Sequence, residues 1–269
     1  MSNSLKKIIG VSGATGFVGK NLREYFDQNN TPHIQITRTT FQRKKIPLLP
    51  KCFCLVHLIG IGSESGGKNF QEVNIDLTKK AVDICKQSKI KKIIYFSGLG
   101  VSKDSKSNYF ISKFESEQII KNSGLDYTIF RPSYIIGKDD YFTLNILKQI
   151  RQKRIIIPGS GKYIIQPISI NDVCKIIYLA SESKFFSKKI IDLVGPEKIS
   201  FKQFLKNSIT NSNLIIETIP VDKAYDNALV DKKFAYGIED LNILLGNFVG
   251  NHAKLKKLSG FNFTKVRNV

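Results

Sequence analysis

An apolar segment that runs directly into a glycine-rich turn is the feature that most constrains this chain. Residues 8–12 read Ile-Ile-Gly-Val-Ser, and Gly13, Gly16 and Gly19 follow at spacings of three. Glycines let the backbone turn tightly and approach a ligand, and a helix that opens behind them presents free N–H groups to an anion. Strand, turn and helix in this order are typical of a dinucleotide pyrophosphate site, and we predict one here.

Apolar periodicity behind that turn predicts strands and helices in alternation through the first half of the chain. Such alternation indicates a parallel sheet covered by helices on both faces. We therefore predict the α/β class, with a Rossmann-type doubly wound parallel sheet and a small C-terminal α/β lobe. The predicted strands lie at 7–12, 33–37, 54–60, 92–96 and 126–130, and the predicted helices at 17–28, 66–88 and 108–123.

The predicted domain organisation follows from the point at which this alternation loosens. We predict an NAD(P)-binding Rossmann domain at 1–137 and a small substrate lobe at 138–269, with residues of about 162–195 returning to the Rossmann core. The segment at 39–52 is too short for the helix and strand that a doubly wound sheet usually places there. One unit of the sheet is therefore expected to be abbreviated near 39–52.

A strong positive charge is the main feature of the composition. The chain has 42 Lys and Arg against 22 Asp and Glu, a formal net charge of +20 at pH 7. A basic surface attracts phosphate backbones, so nucleic-acid binding through this charge is one alternative. The basic residues are mostly lysines spread along the whole chain, which favours a compositional bias and no specific nucleic acid. No apolar run is long enough to span a membrane, and we expect a cytoplasmic protein without a membrane partner.

A tyrosine and a lysine four residues apart, Tyr109 and Lys113, lie on one face of a predicted helix. A nearby ammonium favours the phenolate, so we expect it to lower the pKa of the tyrosine from ~10 toward neutrality, which suits an acid or base. The lysine is also placed to hold a cofactor ribose. The alternative is an ordinary surface pair, since Tyr134 and Lys138 share the spacing although Gly137 interrupts any helix there.

Histidines and cysteines give no metal pattern. His33, His57 and His252 lack the spacing of metal ligands, and we predict no metal site. We interpret His57 as a core histidine and the four cysteines as core residues of a protein from a reducing compartment.

Several further motifs occur in a fixed order along the chain. They are the glycine turn at 13–19, Val-His-Leu-Ile-Gly at 56–60, Glu-Val-Asn-Ile-Asp-Leu-Thr at 72–78, Phe-Ser-Gly-Leu-Gly at 96–100, Tyr-x-x-x-Lys at 109–113 and Phe-Arg-Pro-Ser at 130–133. With these motifs the sequence resembles the extended and atypical short-chain dehydrogenases/reductases, also called the NAD-dependent epimerase/dehydratase superfamily. It is most similar to the branch that includes the nucleotide-binding accessory subunit of respiratory complex I.

The resemblance implies cofactor-binding roles for matching positions. It implies that the pyrophosphate is bound by Gly13, Thr15, Gly16, Phe17, Val18 and Gly19. It also implies that the adenosine side is lined by Leu58, Ile59 and Gly60, and that the nicotinamide end contacts Pro132 and Ser133.

The resemblance also implies catalytic roles. Tyr109 is then the acid/base, and Lys113 assists it and binds the cofactor ribose. Active members carry a Ser or Thr one or two residues after the position of Ser97, where this chain has Gly98 and Leu99. We assign Ser97 as the substitute, with the capping of a strand end as its alternative role.

The end of the second predicted strand indicates which dinucleotide is bound. An NAD site places a carboxylate there for the ribose 2′-hydroxyl, whereas an NADP site uses arginine for the 2′-phosphate. Thr37-Arg38-Thr39-Thr40 contains no acid, and Arg38 suits a bidentate phosphate contact to which Arg43 and Lys44 could add charge. The sequence favours NADP(H) over NAD(H), the alternative being a solvated Arg38.

Two functions remain in competition. The first is an NAD(P)-binding oxidoreductase or epimerase that moves a hydride at a carbonyl or alcohol carbon of a small-molecule substrate, with Tyr109 transferring the proton. The second is a catalytically silent NADP(H)-binding structural or redox-sensing protein, which the residues at 98 and 99 favour. The resemblance suggests a homodimer through the helices at 66–88 and 108–123.

Overall fold

The structure is a computed structural model that describes residues 7–42, 48–49, 52–209 and 214–268. Within these ranges the strands are β1 (Ile8–Ser12), β2 (His33–Ile36), β3 (Cys52–His57), β4 (Lys92–Phe96), β5 (Asp126–Pro132), β6 (Ile135–Ile136), β7 (Arg154–Pro158), β8 (Ile164–Ile165), β9 (Ile168–Ser169), β10 (Lys189–Leu193), β11 (Ile199–Ser200) and β12 (Ile215–Ile219). The helices are α1 (Phe17–Gln28), α2 (Arg38–Gln42), α3 (Leu77–Gln87), α4 (Asn108–Lys121), α5 (Tyr141–Arg151), α6 (Ile170–Glu182), α7 (Phe201–Ser208), α8 (Val221–Val230), α9 (Ile238–Leu245) and α10 (His252–Ser259). A π-helix at Gln71–Asp76 leads into α3, and a 3₁₀-helix covers Lys184–Phe186.

Five strands from the first half of the chain, β1 to β5, form a six-stranded parallel sheet together with β10. Its strand order is β10-β5-β4-β3-β1-β2. After β2 the chain returns to the other side of β1, so the strand order switches between β1 and β3. In open α/β sheets, ligands bind outside the carboxyl ends of the strands at such a switch point. The predicted α/β class is confirmed, and the glycine turn that follows β1 lies at this crevice.

Helices bury both faces of the sheet. On one face α1 and α6 pack together, and Leu22 and Phe26 of α1 are fully buried against Val11 of β1. Burying such side chains contributes about 1.5–3 kcal/mol each. On the other face α3 and α4 pack together, with Ile84 and Ile120 buried against the strands. All four cysteines lie free in these two cores, as the sequence predicts.

The edge of the sheet beside β1 is formed by β2 within the described ranges. The short helix α2 starts at Arg38, directly after this strand, and the next strand of the sheet is β3. The predicted abbreviation at 39–52 falls partly on residues 43–47 and 50–51, which lie outside the described residues.

A smaller lobe follows β5. It has its own buried cluster, in which Ile157 of β7, Phe204 of α7 and Leu241 of α9 come together. Its strands pair two by two, β7 with β12, β8 with β11 and β6 with β9. Between the parts of this lobe, α6 and β10 belong to the large sheet and its covering helices.

No helix of the described ranges is both long and apolar enough to cross a membrane.

Candidate active site

The glycine turn after β1 is held closely between α1 and β3. Gly13 has a φ of +69°, which side chains rarely adopt, and the Gly16 N–H donates to the Gly13 carbonyl at 3.0 Å. A Cβ at Gly19 would lie 2.2 Å from that same carbonyl oxygen. A side chain at position 19 would therefore push α1 away from the turn.

The N-terminus of α1 has no side-chain cap. Gly16 is its N-cap residue, whereas Ser107 and Asp140 cap α4 and α5 with side-chain oxygens. The first-turn N–H groups around Phe17 and Val18 are left for an anionic ligand at the positive end of the helix dipole. The side chain of Arg23 donates to the Ala14 carbonyl at 3.1 Å and supports the turn from behind. The cradle fits a dinucleotide pyrophosphate.

Asn74 fixes the loop after β3, which forms the opposite rim of the cradle. Its side chain is fully buried; Oδ1 accepts from the Ile61 N–H at 2.8 Å, and Nδ2 donates to the Ile61 carbonyl at 3.2 Å. Nδ2 also donates to the Ser112 hydroxyl of α4 at 2.9 Å. The predicted contact residues Leu58, Ile59 and Gly60 precede this anchored position, so the rim and α4 are held as one unit.

Lys113 reaches from α4 toward the same loop. Its Nζ donates to the Phe96 carbonyl at the end of β4 at 3.1 Å. A Cβ at Gly60 would lie only 2.7 Å from this Nζ, so the missing side chain at position 60 gives the ammonium its space. Burial lowers the pKa of Lys113 to about 8, against the opposing effect of Glu117.

Tyr109 lies one helical turn before Lys113 and lines a cavity. Its pKa is raised to about 12, first because burial disfavours the phenolate and then because the carboxylate of Glu239 is near. The sequence predicts a shift in the opposite direction, from the nearby Lys113. That prediction is wrong, because burial and the Glu239 carboxylate raise this pKa. The phenol stays protonated at neutral pH and can donate a proton.

The loop after β4 brings no hydroxyl side chain to Tyr109. A Cβ at Gly98 would lie 3.0 Å from the Tyr109 hydroxyl, so this hydroxyl sits directly on the bare backbone. Ser97 is buried, and its Oγ has no hydrogen-bond partner within the described ranges. Leu99 lines the cavity, but Ser97 is not among the lining residues. The structure therefore does not bring Ser97 together with Tyr109 in the cavity wall.

The buried carboxylate of Glu117 forms an ion pair with the partly exposed Arg131 beside this site. The guanidinium donates to both carboxylate oxygens, at 2.8 and 2.7 Å, and the Glu117 side chain is 1% exposed. The next two residues, Pro132 and Ser133, line the cavity. The ion pair thus links α4 to the end of β5, where the nicotinamide contacts are predicted.

A cavity of about 490 Å³ lies between the sheet and the C-terminal lobe. Its described lining is mostly aromatic and aliphatic: Phe17, Gly62, Ser63, Leu99, Tyr109, Pro132, Ser133, Tyr134, Ile135, Asp140, Tyr141, Phe142, Asn145, Ile146, Ile164, Ile165, Tyr236, Asp240, Ile243, Leu244 and Phe248. Cavities of this size hold small molecules. The predicted residues Phe17, Tyr109, Pro132 and Ser133 meet at this one cavity.

The C-terminal lobe contributes residues that the sequence analysis did not find. Glu239 of α9 accepts from the Ser107 hydroxyl at 2.5 Å and from the Tyr109 N–H at 3.4 Å, at the start of α4. Phe248 lines the cavity, and a Cβ at Gly100 would lie 2.5 Å from its ring. In the sequence, only the presence of a glycine at position 100 hints at this contact. Its positive φ and its partner Phe248 are known from the structure alone, because Phe248 lies far along the chain.

The residues predicted to select NADP(H) follow β2. Arg38 begins α2, but its side chain lies outside the described residues, as do Arg43 and Lys44. The hydroxyls of Thr37 and Thr39 lie 2.6 Å apart and share a hydrogen bond. The described part of this segment thus presents hydroxyl groups and no carboxylate.

His57 is fully buried at the end of β3. Its Nδ1 lies 2.8 Å from the Ser12 hydroxyl, and burial, followed by the charge of Lys113, lowers its pKa to about 3. It is a neutral core histidine. Within the described ranges no three His, Cys, Asp or Glu side chains come together as metal ligands.

Comparison with known proteins agrees with this geometry. A family model described as NAD(P)H-binding matches residues 53–153. A short-chain dehydrogenase/reductase superfamily protein from Agrobacterium tumefaciens with bound NAD has the same fold, with a TM-score of 0.61 at 13% identity over 94% of this chain and 100% of that chain. The chain shares the fold of this NAD-bound protein, and part of it matches an NAD(P)H-binding family model.

Two further similar proteins are named differently, one as an epimerase and the other as a subunit of an NADH dehydrogenase. A nucleoside-diphosphate-sugar epimerase from Staphylococcus aureus matches this chain in fold, with a TM-score of 0.72 at 15% identity over 96% of this chain and 98% of that chain. In sequence, the mitochondrial NADH dehydrogenase [ubiquinone] 1 alpha subcomplex subunit 9 of Dictyostelium discoideum is 26% identical over 56% of this chain. The match covers 42% of that relative, so this chain spans less than half its length.

Proposed function

We propose that this protein binds NADP(H) in the glycine cradle and reduces the carbonyl group of a small molecule in the adjoining cavity. The observation that carries the proposal is the position of Tyr109, which lines the cavity from the first turn of α4 together with Pro132 and Ser133. A phenol whose pKa is about 12 is suited to donate a proton at neutral pH rather than to remove one. Reduction is therefore the favoured direction.

In the proposed mechanism, named groups of the chain bind the cofactor and donate the proton. The first-turn N–H groups of α1 hold the pyrophosphate, and Lys113 binds the ribose next to the carbonyl of Phe96. When bound, NADPH supplies the hydride that forms the new C–H bond at the carbonyl carbon. The Tyr109 hydroxyl gives its proton to the carbonyl oxygen, which leaves an alcohol, and the phenolate then regains a proton from water.

The preference for NADP(H) is part of the proposal. It is supported by the absence of an acid in Thr37-Arg38-Thr39-Thr40 and by the charge of Arg38. We expect Arg38→Ala to weaken NADPH binding about tenfold or more and to leave NADH binding unchanged, as measured by fluorescence titration of purified protein. Tighter binding of NADH than of NADPH by the wild type would reverse the assignment.

Tyr109→Phe tests the catalytic part. Removing the proton donor is expected to slow a single turnover of a bound carbonyl compound by roughly 100-fold, because general acid catalysis contributes that much or more. Tyr127→Phe, on β5 and outside the cavity lining, is the matched control and should react like the wild type. Equal rates for Tyr109→Phe and the wild type would remove Tyr109 from the reaction.

A second candidate is an NADP(H)-binding protein without catalytic activity. The observation that favours it is Gly98, whose bare backbone lies against the Tyr109 hydroxyl where active relatives are expected to supply a hydroxyl side chain. The relative from Dictyostelium discoideum is named as a subunit of an NADH dehydrogenase. In this case NADPH raises the free energy of unfolding, and no carbonyl compound turns over in wild type or variant.

The remaining predictions on partners and location stay proposals. Sedimentation tests whether the protein forms a homodimer through α3 and α4. Titration of the protein with nucleic acid at several salt concentrations tests whether it binds a specific nucleic acid. The cytoplasmic location stays a prediction, and the name of the Dictyostelium discoideum relative places that protein in mitochondria.

A further inference from the structure

The wall of the cavity restricts which substrates can enter, provided that the proposed reduction takes place there. The lining is built from rings and aliphatic side chains contributed by both lobes, among them Leu99, Tyr134, Phe142, Ile243 and Phe248. The Tyr134 and Phe142 rings lie 4.3 Å apart between their centroids and form one continuous aromatic surface. Such a wall stabilises an apolar ligand by removing its surface from water.

The cavity wall has acidic side chains but no basic ones among its described residues. None of the described lining residues is a lysine or an arginine, although the chain has 42 of them. The two charged residues are acids: Asp140 accepts from the N–H groups of Gly137 and Thr143 at 3.1 and 2.8 Å, and so caps α5. Asp240 accepts from the Gly237 N–H at 2.9 Å, and burial raises the pKa of its carboxyl group.

Most polar groups of the wall are already engaged within the protein. Asn145 donates to the Ala235 carbonyl at 2.5 Å, Tyr236 donates to the Ile156 carbonyl at 2.8 Å, and Tyr141 donates to Asp240 at 3.3 Å. Four hydroxyls of the wall make no hydrogen bond within the described part of the chain, those of Ser63, Tyr109, Ser133 and Tyr134. The Tyr109 hydroxyl is therefore available to orient one polar group of a ligand, such as a carbonyl oxygen.

We propose that the substrate is a small, uncharged and largely apolar carbonyl compound, with an aromatic ring against the Tyr134 and Phe142 surface, and that nucleoside-diphosphate sugars are excluded. A diphosphate carries two negative charges, and burying each one without a cation costs several kcal/mol. The described wall has no lysine or arginine to pair with these charges, and its carboxylates would repel them. The volume of about 490 Å³ also includes the faces of Pro132 and Ser133 that are proposed for the nicotinamide, so the substrate is small.

Isothermal titration of the full chain tests this inference with acetylnaphthalene, acetophenone and UDP-glucose as probes. Each titration is run without cofactor and with saturating NADP⁺, which cannot reduce the ketones, so that only binding is measured. We expect acetylnaphthalene to bind about tenfold or more tightly than UDP-glucose in both states, because only the ketone matches the wall. Binding of UDP-glucose as tight as that of the ketones overturns the inference, and so does an absence of ketone binding in both states.

A charged substitution in the wall localises the binding. Ile243→Arg is expected to weaken acetylnaphthalene binding about tenfold or more, while Ile215→Arg, on a β12 side chain that is 66% exposed, leaves it unchanged. Tyr141→Ala, at a lining residue that is 69% exposed, keeps the test informative if Ile243→Arg does not fold, and it should weaken binding severalfold. Equal ketone binding by wild type and folded wall variants overturns the inference.

The same titrations separate this inference from the proposed function. If NADPH does not bind, the proposed function fails, while the ketone titration without cofactor still decides the chemistry of the cavity. If NADPH binds and UDP-glucose is preferred over the ketones, the cofactor assignment stands and only the substrate class is wrong.

Discussion

The two halves of this site are built in different ways. The cradle at 13–19 consists of backbone, and its shape depends on side chains that are missing, above all at Gly13 and Gly19. The cavity depends on side chains that are present, and these come from segments as far apart as Leu99 and Phe248. A contiguous backbone site is defined by a short motif, whereas a side-chain cavity is defined only once the chain has folded.

Helix α4 connects the two halves. At its first turn, Tyr109 faces the cavity, and Ser107 is held by Glu239 of the C-terminal lobe. One turn further on, Lys113 reaches the end of β4, and Ser112 binds the Asn74 amide beside the cradle rim. Contacts of α4 therefore fix the cradle and the cavity relative to each other. Three substitutions test how strongly each of the two depends on the contacts described above.

The largest effect is expected for Gly19→Ala. The new methyl group would lie 2.2 Å from the Gly13 carbonyl oxygen, which belongs to the backbone and has little freedom to yield. We expect α1 to shift away from the turn, NADPH binding to weaken about 100-fold or more, and the free energy of unfolding to fall by about 3 kcal/mol. Titration with NADPH and urea unfolding measure the two changes.

Gly62→Ala is the matched control for this substitution. A Cβ at Gly62 would meet no atom within 4 Å, and its φ is not in the left-handed region. We expect the stability of this variant to stay within about 0.5 kcal/mol of the wild type. If Gly19→Ala binds NADPH as tightly as the wild type does, the cradle is not the pyrophosphate site.

The contrast between the halves also explains what the sequence could predict. Strand, glycine turn and helix are local, so β1, the turn and α1 follow from residues 8–28 and agree with the structure. The pKa of Tyr109 does not follow from local residues, because its direction is set by burial and by Glu239, which lies 130 positions away in the sequence. The neighbouring Lys113 alone predicts the opposite direction.

Helix α4 shows the same limit within one element. Its bounds follow from the sequence, but its buried face does not, because that face includes the polar residues Ser112, Lys113, Ser116 and Glu117. These side chains are buried because Asn74, Phe96 and Arg131 supply their hydrogen bonds from other elements. Apolar periodicity can locate such a helix, but it cannot identify a buried face whose contacts are hydrogen bonds.

Glu117→Gln tests this polar face and is expected to have an intermediate effect. The amide can accept only one of the two hydrogen bonds from Arg131, and it leaves the positive charges of Arg131 and Lys113 without their common acidic neighbour. We expect a loss of about 2 kcal/mol in the free energy of unfolding, measured by urea denaturation at pH 7.

Glu115→Gln, on the same helix but exposed, is the control for the loss of one carboxylate. It should change the stability by less than about 0.5 kcal/mol, because exposed charges contribute little. Equal stabilities of the two variants would mean that the ion pair does not hold α4 to β5.

The smallest effect is expected for Glu239→Gln, which loosens the contact between the C-terminal lobe and α4. The carboxylate accepts hydrogen bonds from Ser107 and from the Tyr109 N–H, and its loss as an anion at a helix N-terminus should cost about 1 kcal/mol of stability. The same carboxylate raises the pKa of Tyr109, so its neutralisation should lower that pKa from about 12.

The pH profile distinguishes an electrostatic role of Glu239 from a purely structural one. In the proposed reaction Tyr109 can donate its proton only while it is protonated, so we expect the single-turnover rate to fall above a pH set by the Tyr109 pKa. With a lower pKa in Glu239→Gln, this fall should move to lower pH, whereas Glu24→Gln on the exposed side of α1 should keep the wild-type profile. A loss of stability in Glu239→Gln with an unchanged pH profile would show that Glu239 only caps α4. The pKa of Tyr109 would then be raised by burial alone.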